Sequence, residues 1–109
     1  MPIGVRREAT DDYVVLFLSG EITDDDCQEL RRRVGEDIKE YNRVAIGLGE
    51  VKSLTIQVVV SLSLLGRTIH LRDGKLVFFS APLLVRRMMQ TCGCLCLETR
   101  IQALRYLQT

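Results

Sequence analysis

A chain of 109 residues with 47% hydrophobic and 27% charged residues can bury one globular core and falls outside the compositions of disordered chains, so a single domain spanning 1–109 is expected. Its 15 Lys and Arg nearly balance 14 Asp and Glu, and the net charge of +1 offers no field to hold a nucleic acid or an anionic membrane. The opening MPIGVRREATDD turns charged too early for a secretory leader, and the apolar stretch 56–65 is about half the roughly 20 residues of a membrane span, so a cytoplasmic protein is expected.

Residues 3–8 and 13–19 read as two strands joined by the turn formers Thr10, Asp11 and Asp12, with Gly20 ending the second. Val14 to Leu18 is apolar on both faces, which predicts an inner strand covered on each side. Thr23 offers a cap to a helix start, and Asp24, Asp25 and Asp26 place negative charge where a helix dipole favours it. Cys27, Leu30, Val34 and Ile38 follow as one helical stripe. Val44 to Leu48 is a short third strand, followed by a loop over 49–53 and a return to the core at Leu54.

From Thr55 to Leu71 the pattern predicts a central helix. The Val58-Val59-Val60 run favours a strand, yet the continuous pattern is far longer than the five or six residues of an average strand, and length decides for the helix. Val58, Leu62, Leu65 and Ile69 form its core stripe with Val59 beside it. The apolar surface extends well round the first two turns, so neighbouring elements or a partner must cover it. Asp73-Gly74 makes a turn, 75–79 a fourth strand, and Ser80-Ala81-Pro82 opens a helix with Leu83, Leu84, Met88 and Met89 inward and Arg86 and Arg87 outward. Gly93 punctuates, 94–97 is a last strand, and Thr99 caps a final helix bearing Ile101, Leu104 and Leu107. The order ββαβαβαβα predicts an α/β fold: a mostly parallel sheet with an N-terminal hairpin and about four helices.

That order, carried by VVLFLSGEITDDDCQEL, RVAIGLGEVKSL, DGKLVFFSAP and MMQTCG, resembles the STAS domain of bacterial anti-sigma-factor antagonists and sulfate-transporter tails, over nearly the whole chain. The resemblance implies a non-enzymatic regulatory module without a cofactor. Its partner would be a protein, either an anti-sigma factor that is also a serine kinase or another STAS protein, and a second copy of the chain is a further option. Antagonists of this family carry an Asp-Ser-Ser-Gly-like motif after the third strand, where a Ser or Thr at the helix start is phosphorylated; a phosphate of about −1.5 to −2 charge beside free amides alters partner fit. Here Thr55 stands at the aspartate, Ile56 and Gln57 at the hydroxyl positions and Val58 at the glycine, where it would thicken the docking surface. The usual acceptor is missing, so binding is expected to be independent of phosphorylation. Thr55 reads first as a helix cap, and Thr55 and Ser53 remain the hydroxyls a kinase would find. The expected partner-binding residues are Ser53, Thr55, Ile56, Gln57 and Val58.

Cys92, Cys94 and Cys96 alternate and would share one face of a strand, which suggests a small-ligand, metal or redox sensor as an alternative function. Their spacing is tighter than that of usual zinc sites and no histidine lies near them, so packing is the preferred reading and no metal is expected. Cys92, the outermost, would be the most reactive of the three, and the thiols, Cys27 included, are expected to stay reduced. His70 has no recognisable catalytic companion, and no phosphate loop, dinucleotide fingerprint or zinc-protease motif occurs. Arg67, Arg72, Arg86 and Arg87 read either as a basic rim for an acidic partner or as solvated helix faces.

Overall fold

The computed structural model describes residues 3–109. Strands β1 (Gly4–Ala9) and β2 (Val14–Ile22) form the antiparallel hairpin; α1 (Cys27–Glu40), β3 (Arg43–Leu54), α2 (Ile56–His70), β4 (Lys75–Phe79), α3 (Leu83–Thr91), β5 (Cys96–Leu97) and α4 (Arg100–Leu107) follow. The five strands lie in the order β1-β2-β3-β4-β5, with every pair after the hairpin parallel. This is the expected order ββαβαβαβα.

Alternation along the strands sorts the core into two layers. Val14, Leu16 and Leu18 of β2, Val44, Ile46 and Leu48 of β3 and Phe78 of β4 face α1, α2 and α3, which contribute Leu30, Val34, Ile38, Val58, Val59, Leu62, Ile69, Val85 and Met89. Their in-between neighbours Val15, Ala45, Val77 and Phe79 face Ala103 and Leu107 of α4. Three consecutive right-handed crossovers put α1, α2 and α3 on the same face, and α4 closes the other. Each fully buried Leu or Ile stabilises the fold by about 1.5–3 kcal/mol of transfer free energy. The second face of the hairpin is covered by charge and aromatic contacts, one of them from the first residue of α4: Phe17 meets Phe79 edge-on at 5.9 Å, and the Arg6 and Arg100 guanidinium groups lie 4.2 and 5.3 Å from the Phe17 ring centre. Glu8 accepts from both arginines, and the Arg100 hydrogen bond leads in holding its carboxyl below the usual range.

Four expectations need correction. Gly20 does not end β2: its φ of +94° makes a bulge, and the strand continues to Ile22. The residues 49–53 are therefore no loop, because the continued β2 gives them a partner, with Ser19 opposite Glu50 and Glu21 opposite Ser53. In α3 the buried residues are Val85 and Met89, while Leu83 and Leu84 are exposed, and in α4 Ala103 and Leu107 are buried while Ile101 is exposed. Finally, β5 contains only Cys96 and Leu97, so Cys92 and Cys94 lie outside any strand.

At the far end of α2 the left-handed residue is Asp73, at φ +60°, and Gly74 serves close approach. A Cβ at Gly74 would lie 2.6 Å from the Asn42 carbonyl oxygen and 2.7 Å from Ile69 Cγ1. Gly74→Ala is expected to destabilise the fold by about 1–3 kcal/mol in urea unfolding, with an unchanged m-value.

Candidate partner-binding face

The site is built at the carboxyl end of the parallel strands, where β3 hands over to α2. Thr55 makes the turn. With φ −85° and ψ 163° it sits in extended backbone at the N-cap, its amide donating to the Ile22 carbonyl at 3.3 Å and its hydroxyl accepting from the Val58 amide at 3.4 Å. The same hydroxyl donates to Asp24 Oδ1 at 2.6 Å. Asp24 begins a 3-10 turn over Asp24–Asp26, in which the Asp26 carboxylate reaches back to accept from the Thr23 amide at 2.8 Å. Three elements distant in sequence, the end of β2, the acidic turn and the start of α2, are thus locked at one rim. Beside them a cleft of about 400 Å³ is lined by residues including Ser19, Glu21, Asp25, Asp26 and Lys52.

On the first turn of α2 the side chains separate by phase. Ile56 is 58% exposed and Gln57 is exposed, whereas Val58 is fully buried. Val58 therefore cannot thicken a docking surface; it faces the sheet, and its removal would open the core. The exposed arc continues through Val60 at 39% and Leu64 at 51%, spaced by four residues from Ile56. On the neighbouring α3, Leu83 and Leu84 are 52% and 74% exposed. Ser53 ends in β3 rather than in a loop, exposed and opposite Glu21. The residues beyond the sequence reading are Asp24, whose role needed the long-range contact, and Val60 and Leu64, whose stripe was visible as excess apolar surface without an assigned face.

The cysteines are arranged otherwise than a shared strand face requires. Cys92 caps α3, Cys94 follows Gly93 at φ +79°, and Cys96 enters β5. All three are half-buried against the core, Cys27 is buried in α1, and all four are free thiols. Burial is the leading cause that raises the Cys94 thiol, and it pushes Cys96 up to about 11. Among the described residues no group of three or more His, Cys, Asp or Glu side chains is placed to hold a metal ion. His70 is exposed, and Arg72 donates to the Ile38 carbonyl, which withdraws it from the expected basic rim.

Thr55→Ala removes the α2 cap and the tie to Asp24 and is expected to cost about 1–2 kcal/mol in denaturant unfolding, with Thr55→Ser retaining most of the stability. A thiol pushed to about 11 is almost wholly protonated at pH 8, so iodoacetamide should label Cys96 on the order of a hundredfold more slowly in the folded chain than in the unfolded one. Because the folded value is raised, this burial contribution to stability is complete below pH about 9 and is lost as pH rises towards 11.

No protein-family model and no curated protein matches the sequence. Solved structures do. An anti-sigma factor antagonist from Mycobacterium paratuberculosis aligns with a TM-score of 0.87 at 19% identity, over 98% of this chain and 95% of that one. The anti-sigma factor antagonist SpoIIAA in its unphosphorylated form gives 0.78 at 16% identity, over 96% and 98%; its phosphorylated form, from Bacillus, gives 0.75 at 16%, over 94% and 98%. A variant of RsbS from Moorella thermoacetica gives 0.76 at 15% identity, over 95% and 94%. The chain has the STAS fold of the anti-sigma-factor antagonists.

Proposed function

We propose that the chain is a non-enzymatic regulatory module that docks a protein partner on the opening turn of α2 without phosphorylation of that surface. The observation that carries this reading is Ile56, a large apolar side chain 58% exposed at the helix start, next to a Thr55 hydroxyl already engaged with Asp24. Exposed apolar residues gathered in a contiguous patch mark interaction surfaces more often than isolated ones do. Neither Ile56 nor Gln57 has a hydroxyl that could take a phosphoryl group. A phosphoryl group on Thr55 would displace the 2.6 Å hydrogen bond and set its charge against the Asp24 carboxylate. The likeness in fold to SpoIIAA and to RsbS supports a partner of the anti-sigma-factor or STAS class.

The test is co-purification from source cells combined with intact-mass measurement. The wild-type chain should retain a stoichiometric protein partner and show no adduct of about 80 Da, the mass of a phosphoryl group. Ile56→Asp should release the partner while melting within a few degrees of the wild type, since Ile56 lies outside the core. A phosphoryl adduct on Thr55 or Ser53 that changes partner retention would contradict the phosphate-independent mode, and retention by Ile56→Asp would contradict the docking role.

A further inference from the structure

We propose that the second half of α2 carries a binding site for a small amphiphilic carboxylate, a monoanion joined to a short apolar body, in the cavity between this helix, β4 and the turn that follows α3. The cavity has a volume of about 390 Å³, room for roughly thirteen waters at about 30 Å³ each. It involves neither Ile56 nor the opening turn of α2, so the site and the docking role stand or fall separately.

Two features of the sequence open this space. Ser63, Gly66, Arg67 and His70 recur at i, i+3, i+4 and i+7, so they share one face of α2, and that face lines the cavity. Gly66 lacks the side chain that would fill it: a Cβ there would have Leu76 Cδ2 as its nearest neighbour, at 3.8 Å. The second feature is the shortness of β5, which pairs only with Phe78 and Phe79. Along β4 the Lys75 amide turns inward to the Asn42 carbonyl, while those of Phe78 and Ser80 turn outward to the Leu95 and Leu97 carbonyls at 2.9 and 3.1 Å. By the same alternation the Leu76 amide points outward, where among the described residues no strand lies, and half-buried Leu76 lines the cavity. The turn at Gly93, with φ +79°, closes the remaining side with Cys92 and Cys94, and Ser63 Oγ holds it by donating to the Cys92 carbonyl at 3.3 Å.

Polarity changes along the cavity. The short turn after α2 brings the chain back antiparallel into β4, which places Arg67 and His70 at the Leu76 end, and Leu62 and Ser63 at the Phe78 end. Among the described residues neither Arg67 nor His70 is in an ion pair. No Asp or Glu lines the cavity, and Asp73, the only acid between 55 and 97, lies in the turn beyond it. A guanidinium offers a planar fork that fits a carboxylate through two hydrogen bonds, and an imidazole adds a donor in either protonation state. The one permanent cation matches the single charge of a carboxylate better than the charge of about −1.5 to −2 on a phosphate monoester. At the other end Leu62, Phe78 and Leu95 form the walls that receive the apolar body. A mixed lining of this kind, apolar walls with a few convergent polar groups, is what small-molecule sites share.

The experiment is an NMR titration of the isotope-labelled full chain with 3-phenylpropionate, compared with 3-phenylpropionamide, acetate and inorganic phosphate. Expected are shifts at Ser63, Arg67, His70 and Leu76 with a Kd of about a millimolar or below. The amide lacks the charge, acetate lacks the apolar body and phosphate lacks both the body and the single charge, so each should bind at least about tenfold more weakly. Arg67→Gln, at an exposed position, should melt like the wild type and weaken 3-phenylpropionate binding at least about tenfold. Gly66→Leu puts a better helix former into α2 and its side chain into the cavity, so it should stay folded and exclude the ligand. A melting curve of each variant checks the fold, and if Gly66→Leu unfolds, Arg67→Gln decides alone. The proposal is overturned by equal binding of the carboxylate and the amide, by acetate or phosphate binding as tightly, or by shifts confined to other faces. It is equally overturned by an absence of binding up to about 10 mM, or by wild-type affinity in either folded variant.

Discussion

A helix has one face to give to a sheet, and in α2 more than one face is apolar. Val58, Val59, Leu62 and Ile69 are spent on covering the centre of the sheet, where β3 and β4 need a lid. Ser61 is buried as well, so the inner arc is full. What remains of the apolar surface, Ile56, Val60 and Leu64, has no place inside the fold. The surface offered to a partner is thus a consequence of how the core is packed, and no special strain or cofactor is required to present it.

The phase of α2 is set by Thr55. Its amide is held by the Ile22 carbonyl and its hydroxyl by Asp24, while the Val58 amide closes the first turn against it. Rotation of the helix by one residue would break these contacts together, and would turn Val58 towards solvent. The continuation of β2 past Gly20 matters for the same reason, since it brings Ile22 and Asp24 to the end of β3. A hydroxyl at a helix start is a natural place for a charge switch, but this one is already committed to a carboxylate, and the residues following it are Ile56 and Gln57.

Element order was legible because α1 carries one clean stripe and because the pattern over α2 is too long for a strand, even though it contains three consecutive valines. Misreadings came where local cues compete with pairing. Gly20 and Gly49 look like breaks, but one forms a bulge and the other lies in a strand that the bulge extends. The short helices are legible only in part: Met89 and Leu107 are buried as the pattern predicts, but in nine-residue α3 and eight-residue α4 two turns of sequence hold apolar residues on several sides, and only the register of the flanking strands selects Val85 over Leu84 or Ala103 over Ile101. In the site, the structure exposes Ile56 and buries Val58, a division that the motif alignment does not foresee, and the link from Thr55 to Asp24 spans 31 positions that no local pattern connects.

The most direct measurement of the division of α2 into a buried and a free arc is methyl NMR of the isolated chain with a soluble paramagnetic probe. The methyls of Ile56, Val60 and Leu64 should relax strongly, those of Val58, Leu62 and Ile69 weakly, and the first set alone should become protected when the co-purified partner is added. Equal protection of both sets in the free monomer would show the outer arc already sealed within the fold and contradict the account.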